Sequence, residues 1–244
     1  MIEAVFISDL HLSSNNPRIT ERFNLFIQWA AKNVQKVFVL GDLFHAWSGD
    51  DLIEPWVEKI AEQFFWLNSQ GITLYFMYGN RDFLLGKTFL DLAALKLIQD
   101  PTVISLGNQA VLLSHGDRYC IKDTKHQWLR FLTRNRLFAR CFLALPSNFR
   151  SKIVHKVRKI SMSNQKSNEI MDVVPAAAIK QLHKCNADIL IHGHTHRVGM
   201  HNHIVHGKLY HRYVLSDWDD KPLLMCYDQA VGFYFEQLVE TNNV

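Results

Sequence analysis

A-V-F-I-S-D-L-H-L, at positions 4–12, is an apolar run that ends in an acid and a histidine. Short runs rich in β-branched and aromatic residues are typical of buried strands, so we predict a first strand over residues 4–8. Asp9 and His11 follow it, separated by Leu10. If the strand stays extended through them, both side chains point to the same face of the sheet. On its own, such a pair is a weak indicator of function.

The same pattern recurs four times along the chain. Further apolar runs end in polar clusters, at 36–40 before Gly41-Asp42, 73–78 before Gly79-Asn80-Arg81-Asp82, 110–114 before His115-Gly116-Asp117, and 187–191 before His192-Gly193-His194-Thr195-His196. Amphipathic stretches at 18–33 and 52–69 have the length of helices. Alternation of strands and helices predicts an α/β protein with helices on the faces of its sheet. Ligands bind beyond the carboxyl ends of strands in such sheets, so we expect the five clusters to converge on one site.

Length and composition fit one domain over residues 1–244, because 244 residues with 48% hydrophobic content can bury a substantial core. The first residues show no basic leader, and no apolar stretch reaches the roughly 20 residues that cross a bilayer. We therefore expect a protein that is soluble or at most peripheral. The four cysteines are scattered without a C-x-x-C pair, which fits a reducing cytoplasm. Further strands are predicted at 212–215, 223–227 and 232–238, with their pairing left open.

Positive charge is concentrated in one region. Between positions 118 and 159 lie twelve Lys or Arg residues and a single acid, Asp123. This region has helical periodicity in pieces, and it separates the fourth and fifth strand clusters, where a simple crossover needs only a short helix. We predict an inserted helical cap at about 122–172, with Pro146 and Pro175 bounding its helices.

The residue types at the strand ends are those that hold metal ions. Imidazole, carboxylate and amide oxygen together suit borderline divalent ions such as manganese, iron or zinc. One buried histidine is usually a packing residue, but seven such side chains in this order are hard to explain by packing. The candidate metal ligands are Asp9, His11, Asp42, Asn80, His115, His194 and His196.

The motifs D-L-H, G-D, G-N-R-D, H-G-D and G-H-T-H, in this order, resemble those of the calcineurin-like binuclear metallophosphoesterase superfamily. The resemblance implies a sandwich of two β-sheets flanked by helices. It also implies two ions bridged by Asp42, one completed by Asp9, His11 and His196 and the other by Asn80, His115 and His194. Two ions about 3.5–4 Å apart lower the pKa of a bound water and stabilise an in-line displacement at phosphorus.

Arg81 departs from the superfamily pattern G-N-H-[DE], in which a histidine assists the leaving group. Arginine does not release its proton near neutral pH, so we expect Arg81 to be a fixed positive donor to a phosphate oxygen. That role favours a leaving group that needs little protonation, as in a pyrophosphate. The alternative is a surface salt bridge between Arg81 and Asp82.

The runs at 41–51, 79–87 and 170–173 are similar to those of the UDP-2,3-diacylglucosamine pyrophosphohydrolase family of lipid A biosynthesis, over nearly the full chain. The resemblance implies two Mn²⁺ ions, attack of water on the α-phosphate of the UDP group, and the products UMP and lipid X. It implies catalytic roles for Asp42, Asn80, Arg81 and His115. The implied substrate contacts are Asn80, Arg81, Asp123, Ser161, Asn164, Lys166 and His194.

The cap has a role under this resemblance. Apolar residues are expected to line a groove for two acyl chains, namely Trp128, Phe131, Leu132, Phe138, Phe142, Leu143 and Phe149. Its Lys and Arg residues are expected to face anionic headgroups, with each contributing about 1 kcal/mol near an anionic leaflet. We therefore predict peripheral attachment to the cytoplasmic side of the cell inner membrane. The alternative is that these apolar residues only pack the cap on the sheet.

Other interpretations of the sequence stay open. The basic cap is also compatible with a nuclease or cyclic-nucleotide phosphodiesterase, although Arg81 and the apolar runs favour a substrate that is not nucleic acid. A scaffold protein without metals is the second rival, and no obligate protein partner is predicted. Asp50 and Asp51 are interpreted as capping a helix, and His201, His203, His206 and His211 as part of a polar hairpin.

Overall fold

Two β-sheets face each other in the computed structural model, which describes residues 1–163, 170, 172–219 and 221–238. The first sheet has six strands in the order β11-β10-β1-β2-β3-β4. These are β1 (Ala4–Ile7), β2 (Lys36–Val39), β3 (Thr73–Phe76), β4 (Lys96–Leu97), β10 (Leu223–Asp228) and β11 (Gly232–Gln237). Strands β1 to β4 run parallel, so the carboxyl ends of β1, β2 and β3 meet at one edge.

The second sheet has five strands in the order β5-β6-β7-β9-β8. These are β5 (Thr102–Leu106), β6 (Gln109–Ser114), β7 (Ile189–His192), β8 (Gly199–Val205) and β9 (Lys208–Val214). Strands β6, β7 and β9 run parallel, while β8 and β9 form an antiparallel hairpin. The hairpin expected around the histidine cluster is therefore confirmed.

The core is divided by the alternation of side chains along the strands. Ala4 and Phe6 of β1 belong to the cluster between the two sheets, whereas Val5 and Ile7 face the helices on the other side of the first sheet. Phe6 stacks on Phe38 with ring centroids 5.0 Å apart. Because both faces of β1 are buried, its sequence is continuously apolar rather than alternating.

Seven helices surround the sheets in the part of the chain that the structure describes. They are α1 (Pro17–Asn33), α2 (Pro55–Ser69), α3 (Lys87–Leu92), α4 (Thr124–Thr133), α5 (Arg136–Leu143), α6 (Ser147–Ser163) and α7 (Pro175–Lys184). Helices α1 and α2 cover the first sheet, and α7 covers the second. Helices α4, α5 and α6, termed the cap helices below, lie between β6 and α7 in sequence.

The predicted fold, two β-sheets flanked by helices, is confirmed. The five strands that precede the polar clusters are present, each within two residues of its predicted ends. The helix predicted at 52–69 begins later, at Pro55, because proline is favoured in the first turn of a helix. Strands β4 and β5 and helices α3 and α7 were not predicted.

Asp50 and Asp51, the two acids before Leu52, were interpreted as capping a helix, but neither caps the helix that follows them. Asp50 accepts hydrogen bonds from the backbone N–H groups of Gly86 (2.7 Å) and Phe89 (3.1 Å), so it caps α3 and not the helix that follows it. Asp51 forms an ion pair with the buried Arg150 of α6. Both acids therefore contact residues that are distant in the sequence.

The described residues contain no helix that is both long enough and apolar enough to cross a bilayer.

Candidate active site

The candidate ligands lie beyond the ends of their strands, in an unusual backbone conformation. Five of the seven have positive φ, between 53° and 71°: Asp9 (55°), His11 (53°), Asp42 (53°), His194 (71°) and His196 (55°). Asp9 and His11 were expected to share a face if their strand stayed extended, but this condition is not met, since β1 ends at Ile7. Left-handed residues turn the chain instead. Asp and His tolerate this region better than most residues, although it costs about 1–3 kcal/mol each.

Two groups of these side chains are close enough to hold metal ions. Within each group the potential ligand atoms all lie within 4.8 Å of one another, in the sets Asp9, His11, His196 and Asp42, His115, His194. Asp42 lies between the groups. One of its oxygens is 3.4 Å from His11 Nε2, and the other is 3.6 Å from His115 Nε2. The carboxylate thus lies within reach of both groups.

Asp9 has one oxygen fixed and one that points into the site. Its Oδ2 accepts hydrogen bonds from Ser8 Oγ (2.6 Å) and from the His194 backbone N–H (2.8 Å). Its Oδ1 is buried without a hydrogen-bond partner in the described chain, 3.5 Å from His196 Nε2 and 3.9 Å from His11 Nε2. A buried carboxylate oxygen without a partner is costly unless a cation lies beside it. The residues present therefore fit a metal ion.

His196 is held by an acid that the sequence analysis missed. Asp217 Oδ2 lies 3.2 Å from His196 Nδ1, which leaves Nε2 directed at Asp9. Burial alone lowers the pKa of His196, but its contacts with Asp217 and Asp9 outweigh burial and raise the pKa to about 10. A carboxylate behind a histidine is a common arrangement at metal sites, because it fixes the tautomer and the ring orientation. The sequence indication was an acid just after a strand, in S-D-W-D-D.

The second group is oriented by backbone contacts. His115 donates its Nδ1 proton to the carbonyl oxygen of Leu40 (2.9 Å), and its Nε2 lies 3.1 Å from Asn80 Oδ1. His194 is partly buried, and desolvation followed by the charges of His115 and His126 lowers its pKa to about 3. A neutral imidazole is the form that binds a metal.

The acids of the site are ionised. Burial raises the pKa of Asp9 and Asp42, but contacts with histidines outweigh burial and hold both pKa values below their usual range. Asp42 also lies near Arg81, which acts in the same direction. Two buried carboxylates that stay ionised give the site an affinity for cations.

Glycine is required where the loops of the site meet. A Cβ on Gly79 would lie 2.1 Å from Asp42 Oδ1, and a Cβ on Gly193 would lie 2.3 Å from Asp9 Oδ2. Any side chain at these positions would displace a carboxylate of the site. The glycines of the G-N-R-D and H-G-H-T-H motifs are thus steric necessities.

Asp82 ties two of these loops together. It is fully buried and accepts hydrogen bonds from the backbone N–H groups of Leu43 (2.7 Å) and Gly79 (2.8 Å). Burial, followed by the charge of Asp42, raises its pKa to about 6. The acid of the G-N-R-D motif therefore positions the loops that carry Asp42 and Asn80.

Arg81 contacts Asp42 and not Asp82, so the alternative of a surface salt bridge to Asp82 was wrong. The backbone N–H of Arg81 donates to Asp42 Oδ1 (2.9 Å), and Arg81 Nε lies 3.2 Å from Asp42 Oδ2. Arg81 Nη1 donates to His45 Nδ1 (3.1 Å). Burial, followed by the charge of Arg81, lowers the pKa of His45 to about 4. The guanidinium is fixed beside the metal-ligand groups.

A cavity of about 120 Å³ opens beside Arg81, under the cap helices. Of the apolar residues predicted to line a groove, Phe138 and Phe142 do so, whereas Trp128 and Phe131 are 69% and 75% exposed. The other apolar lining residues were not predicted, and they are Trp47, Phe83, Leu129, Ile153, Val154 and Val157.

Of the predicted substrate contacts in the cap, the structure describes Ser161 and Asp123. Ser161 lines the cavity under the cap helices. Asp123 is buried at the start of α4, where its side chain accepts a hydrogen bond from the His126 backbone N–H (3.0 Å). Asn164 and Lys166 lie outside the described residues.

Several basic residues of the cap face inward, which corrects the expectation that they face headgroups. Arg130 Nε lies 3.2 Å from Asp117 Oδ1, and Arg134 Nη2 donates to the carbonyl oxygen of Tyr78 (3.0 Å). Arg158 Nη2 donates to the carbonyl oxygen of Asn80 (2.8 Å). These arginines anchor the cap helices to the loops of the site.

Comparison with known proteins agrees with this geometry. Residues 3–198 match the family model of the calcineurin-like phosphoesterases. The chain is 39% identical to a UDP-2,3-diacylglucosamine hydrolase of Pseudomonas entomophila, over 94% of this chain and 96% of the relative. It is 41% identical to one of Aromatoleum aromaticum (91% and 92% covered) and 42% identical to one of Aeromonas salmonicida (92% and 90% covered). The chain is therefore a hydrolase that belongs to the calcineurin-like phosphoesterases and, within them, to the UDP-2,3-diacylglucosamine hydrolase family.

Proposed function

We propose that this hydrolase cleaves the pyrophosphate bond of UDP-2,3-diacylglucosamine and so serves lipid A biosynthesis. Water adds to the α-phosphorus of the UDP group, and the bond from that phosphorus to the bridging oxygen breaks. The products are UMP, which keeps the oxygen of the water, and 2,3-diacylglucosamine 1-phosphate, or lipid X. The names of the relatives support this substrate. One observation of the site carries it: Arg81 contacts Asp42 and also lines the apolar cavity under the cap helices.

We also propose two Mn²⁺ ions per chain, held by Asp9, His11, Asp42, Asn80, His115, His194 and His196. The two ligand groups around Asp42 and the unpartnered Asp9 Oδ1 support this assignment. When bound, two such ions lower the pKa of a water and neutralise charge on the phosphates. Asp42 would belong to both ligand groups, and Asn80 and His115 would help to orient the reacting phosphate beside Asp42.

Arg81 then acts as a positive donor to a phosphate oxygen. Its guanidinium is already fixed by Asp42 and His45, so little reorganisation is needed when charge develops in the transition state. The leaving group is a phosphate, which needs little protonation and so matches an arginine that keeps its proton. Asn80, Asp123, Ser161, Asn164, Lys166 and His194 are proposed as further substrate contacts.

In this proposal the cavity under the cap helices, of about 120 Å³, receives part of the acyl chains. Phe138, Phe142 and Val154 are among its apolar lining residues, and Asn80 with Arg81 lies at its end nearest the site. We further propose one domain over 1–244 with a helical cap at about 122–172. Peripheral attachment at the cytoplasmic side of the inner membrane is also proposed. The exposed Trp128 and Phe131 support contact with a membrane surface, because aromatic side chains favour the membrane interface.

A label experiment tests the reaction. The protein with Mn²⁺ is incubated with UDP-2,3-diacylglucosamine in heavy-oxygen water, and both products are analysed by mass spectrometry. Label in UMP is expected, whereas label in lipid X would overturn attack at the α-phosphate. Asp42→Ala is expected to abolish turnover. Ready cleavage of oligonucleotides with the lipid substrate left intact would support a nuclease instead, and an unaffected Asp42→Ala variant would support a scaffold.

A further inference from the structure

The candidate metal site borders a second cavity, next to the cavity under the cap helices, which is called the cap cavity below. This groove has a volume of about 710 Å³ and is lined by His11 and His196 of the first ligand group. Its size lies within the roughly 300–1,000 Å³ typical of small-molecule sites.

The groove and the cap cavity meet at two residues. Arg81 and Trp47 line both, while Asn80 and His126 line only the cap cavity of the two, and His11 and His196 only the groove. A substrate with its phosphates beside Arg81 would therefore extend in two directions. One half enters the apolar cavity under the cap helices, and the other half enters the groove.

The two cavities are lined by different chemistry. Phe44, Trp47 and Trp56 are aromatic residues that line the groove, and short polar residues such as Ser13 and Asn15 line it as well. The cap cavity offers mainly aliphatic and phenyl groups. Aromatic faces stack on nucleobases, and amide or hydroxyl groups bond to the edges of a base or to ribose. The groove thus resembles a nucleoside site more than an acyl site.

Trp56 has the best position to provide a stacking face. Its ring packs edge to face on Phe44 with centroids 5.9 Å apart, and its Nε1 donates to Glu54 Oε2 (3.0 Å). The ring is partly exposed, whereas that of Trp47 is buried. Trp56 is therefore both fixed in orientation and open to a ligand.

His45 adds a directed polar group to the groove. Arginine only donates hydrogen bonds, so His45 Nδ1 accepts from Arg81 Nη1, and the proton of the neutral ring lies on Nε2. That N–H group is available to a carbonyl or phosphate oxygen of a ligand. His45 therefore combines the positioning of Arg81 with a donor for the ligand in the groove.

We propose that this groove binds the uridine half of the substrate, with the base against Trp56 and the α-phosphate beside Arg81. The assignment rests on the proposed function, because it places one half of that substrate. It leaves the diacylglucosamine half to the cap cavity, so nucleotide and lipid are recognised by separate parts of the protein.

Calorimetry with UMP and with ribose 5-phosphate tests the assignment on the Mn²⁺-loaded full chain. Trp56→Ala is expected to weaken UMP binding by about 10- to 100-fold, the range of one lost base stack, and to leave ribose 5-phosphate binding unchanged. Trp66→Ala is the matched control, because Trp66 lies on the same helix, is 45% exposed and does not line the groove. Equal UMP affinity in wild type and Trp56→Ala would overturn the proposal.

Trp56→Phe gives a second measurement, which remains valid if the Trp56→Ala variant does not fold. Phenylalanine keeps an aromatic face but removes the indole fluorescence. UMP is expected to quench the tryptophan emission of the wild type more than ribose 5-phosphate does, and Trp56→Phe is expected to bind UMP while losing this extra quench. Retention of the full quench by Trp56→Phe would place the base elsewhere and contradict the proposal.

Turnover of UDP-2,3-diacylglucosamine by the same wild-type preparation distinguishes a failure of the groove assignment from a failure of the proposed function. If the wild type turns over this substrate while Trp56→Ala binds UMP normally, the groove assignment fails and the proposed function stands. If the wild type binds UMP in a Trp56-dependent way but leaves the lipid substrate intact, the nucleoside site stands and the lipid assignment fails.

Discussion

The carboxylate of Asp217 lies 3.2 Å from Nδ1 of His196, whereas the other ring nitrogen, Nε2, lies 3.5 Å from Asp9. This contact fixes which ring nitrogen is free for a metal. Asp217→Asn is therefore expected to weaken divalent-ion binding by about 10- to 100-fold, as is usual when a partner behind a ligating histidine is lost. Titration with Mn²⁺ measures the effect, and Asp188→Asn, which removes an acid paired with Lys208, is the control. Unchanged affinity in Asp217→Asn would show that the contact is dispensable.

Arg81 is expected to act on turnover more than on metal binding. Arg81→Ala is predicted to lower kcat by about 100- to 1,000-fold, the usual cost of removing one preorganised donor to developing charge. Arg81→Lys is expected to recover only part of this loss, because one ammonium cannot reproduce the contacts of Nε with Asp42 and of Nη1 with His45. Steady-state kinetics and elemental analysis distinguish the two effects. Arg18→Ala, at an exposed arginine of α1, is the control.

The cavity under the cap helices is predicted to admit acyl chains. Val154→Phe is expected to reduce kcat/KM for UDP-2,3-diacylglucosamine at least about tenfold, because the added ring occupies a cavity of about 120 Å³. Its affinity for UMP is expected to stay at the wild-type value. Leu137→Phe adds a similar ring at a cap position that is 69% exposed, and it should retain full activity. Equal losses in both variants would argue against an acyl site here.

His45 gives the stability a dependence on pH. Its pKa is about 4 in the folded chain, against about 6.5 when unfolded, so between these values the unfolded chain binds more protons at this position. Acidification from pH 7 to pH 4 therefore favours unfolding through His45. Urea titrations at several pH values should show a shallower loss of stability in His45→Gln than in the wild type. His183→Gln, which removes an exposed imidazole of α7, is the matched control.

Asp50 is predicted to stabilise the fold through hydrogen bonds to residues that are distant in the sequence. Its carboxylate accepts from the N–H groups of Gly86 and Phe89 and from Trp47 Nε1 (3.0 Å). Asp50→Ala leaves these donors without an acceptor, so the free energy of unfolding should fall by about 2–4 kcal/mol. Asp91→Ala removes an exposed ion pair with Lys87 on the same helix and should cost about 0–0.5 kcal/mol. Similar losses in the two variants would contradict the capping role.

The chemistry of the site could be predicted because residue type and position carry it. Acids, amide and histidines after apolar runs indicated one site, and the carboxyl ends of parallel strands must meet at a common edge. What failed was the local geometry. The alternation in D-L-H assumed an extended strand, whereas the chain turns through left-handed conformations at Asp9 and His11. Sequence spacing does not reveal such turns when the residues are not glycine.

Contacts between residues distant in the sequence could not be predicted either. Asp217 and Asp50 act on residues distant in the chain, and no local pattern pairs them with their partners. The cap shows the same difficulty, because periodicity marks an apolar face without fixing which helix lies opposite. Leu129 therefore lines the cavity while Trp128 and Phe131 face outward. Binding residues that depend on the rotation of a helix need the structure.

The left-handed backbone at Asp9, His11, Asp42, His194 and His196 has a consequence for how the protein withstands heat. Each such conformation costs about 1–3 kcal/mol, so the folded chain holds an unfavourable local geometry at the site. An ion that binds only the folded chain offsets this cost by mass action, in proportion to the logarithm of its concentration. Chelation of divalent ions should therefore lower the melting temperature of the whole protein. The same ions that serve the reaction would also protect the chain from unfolding.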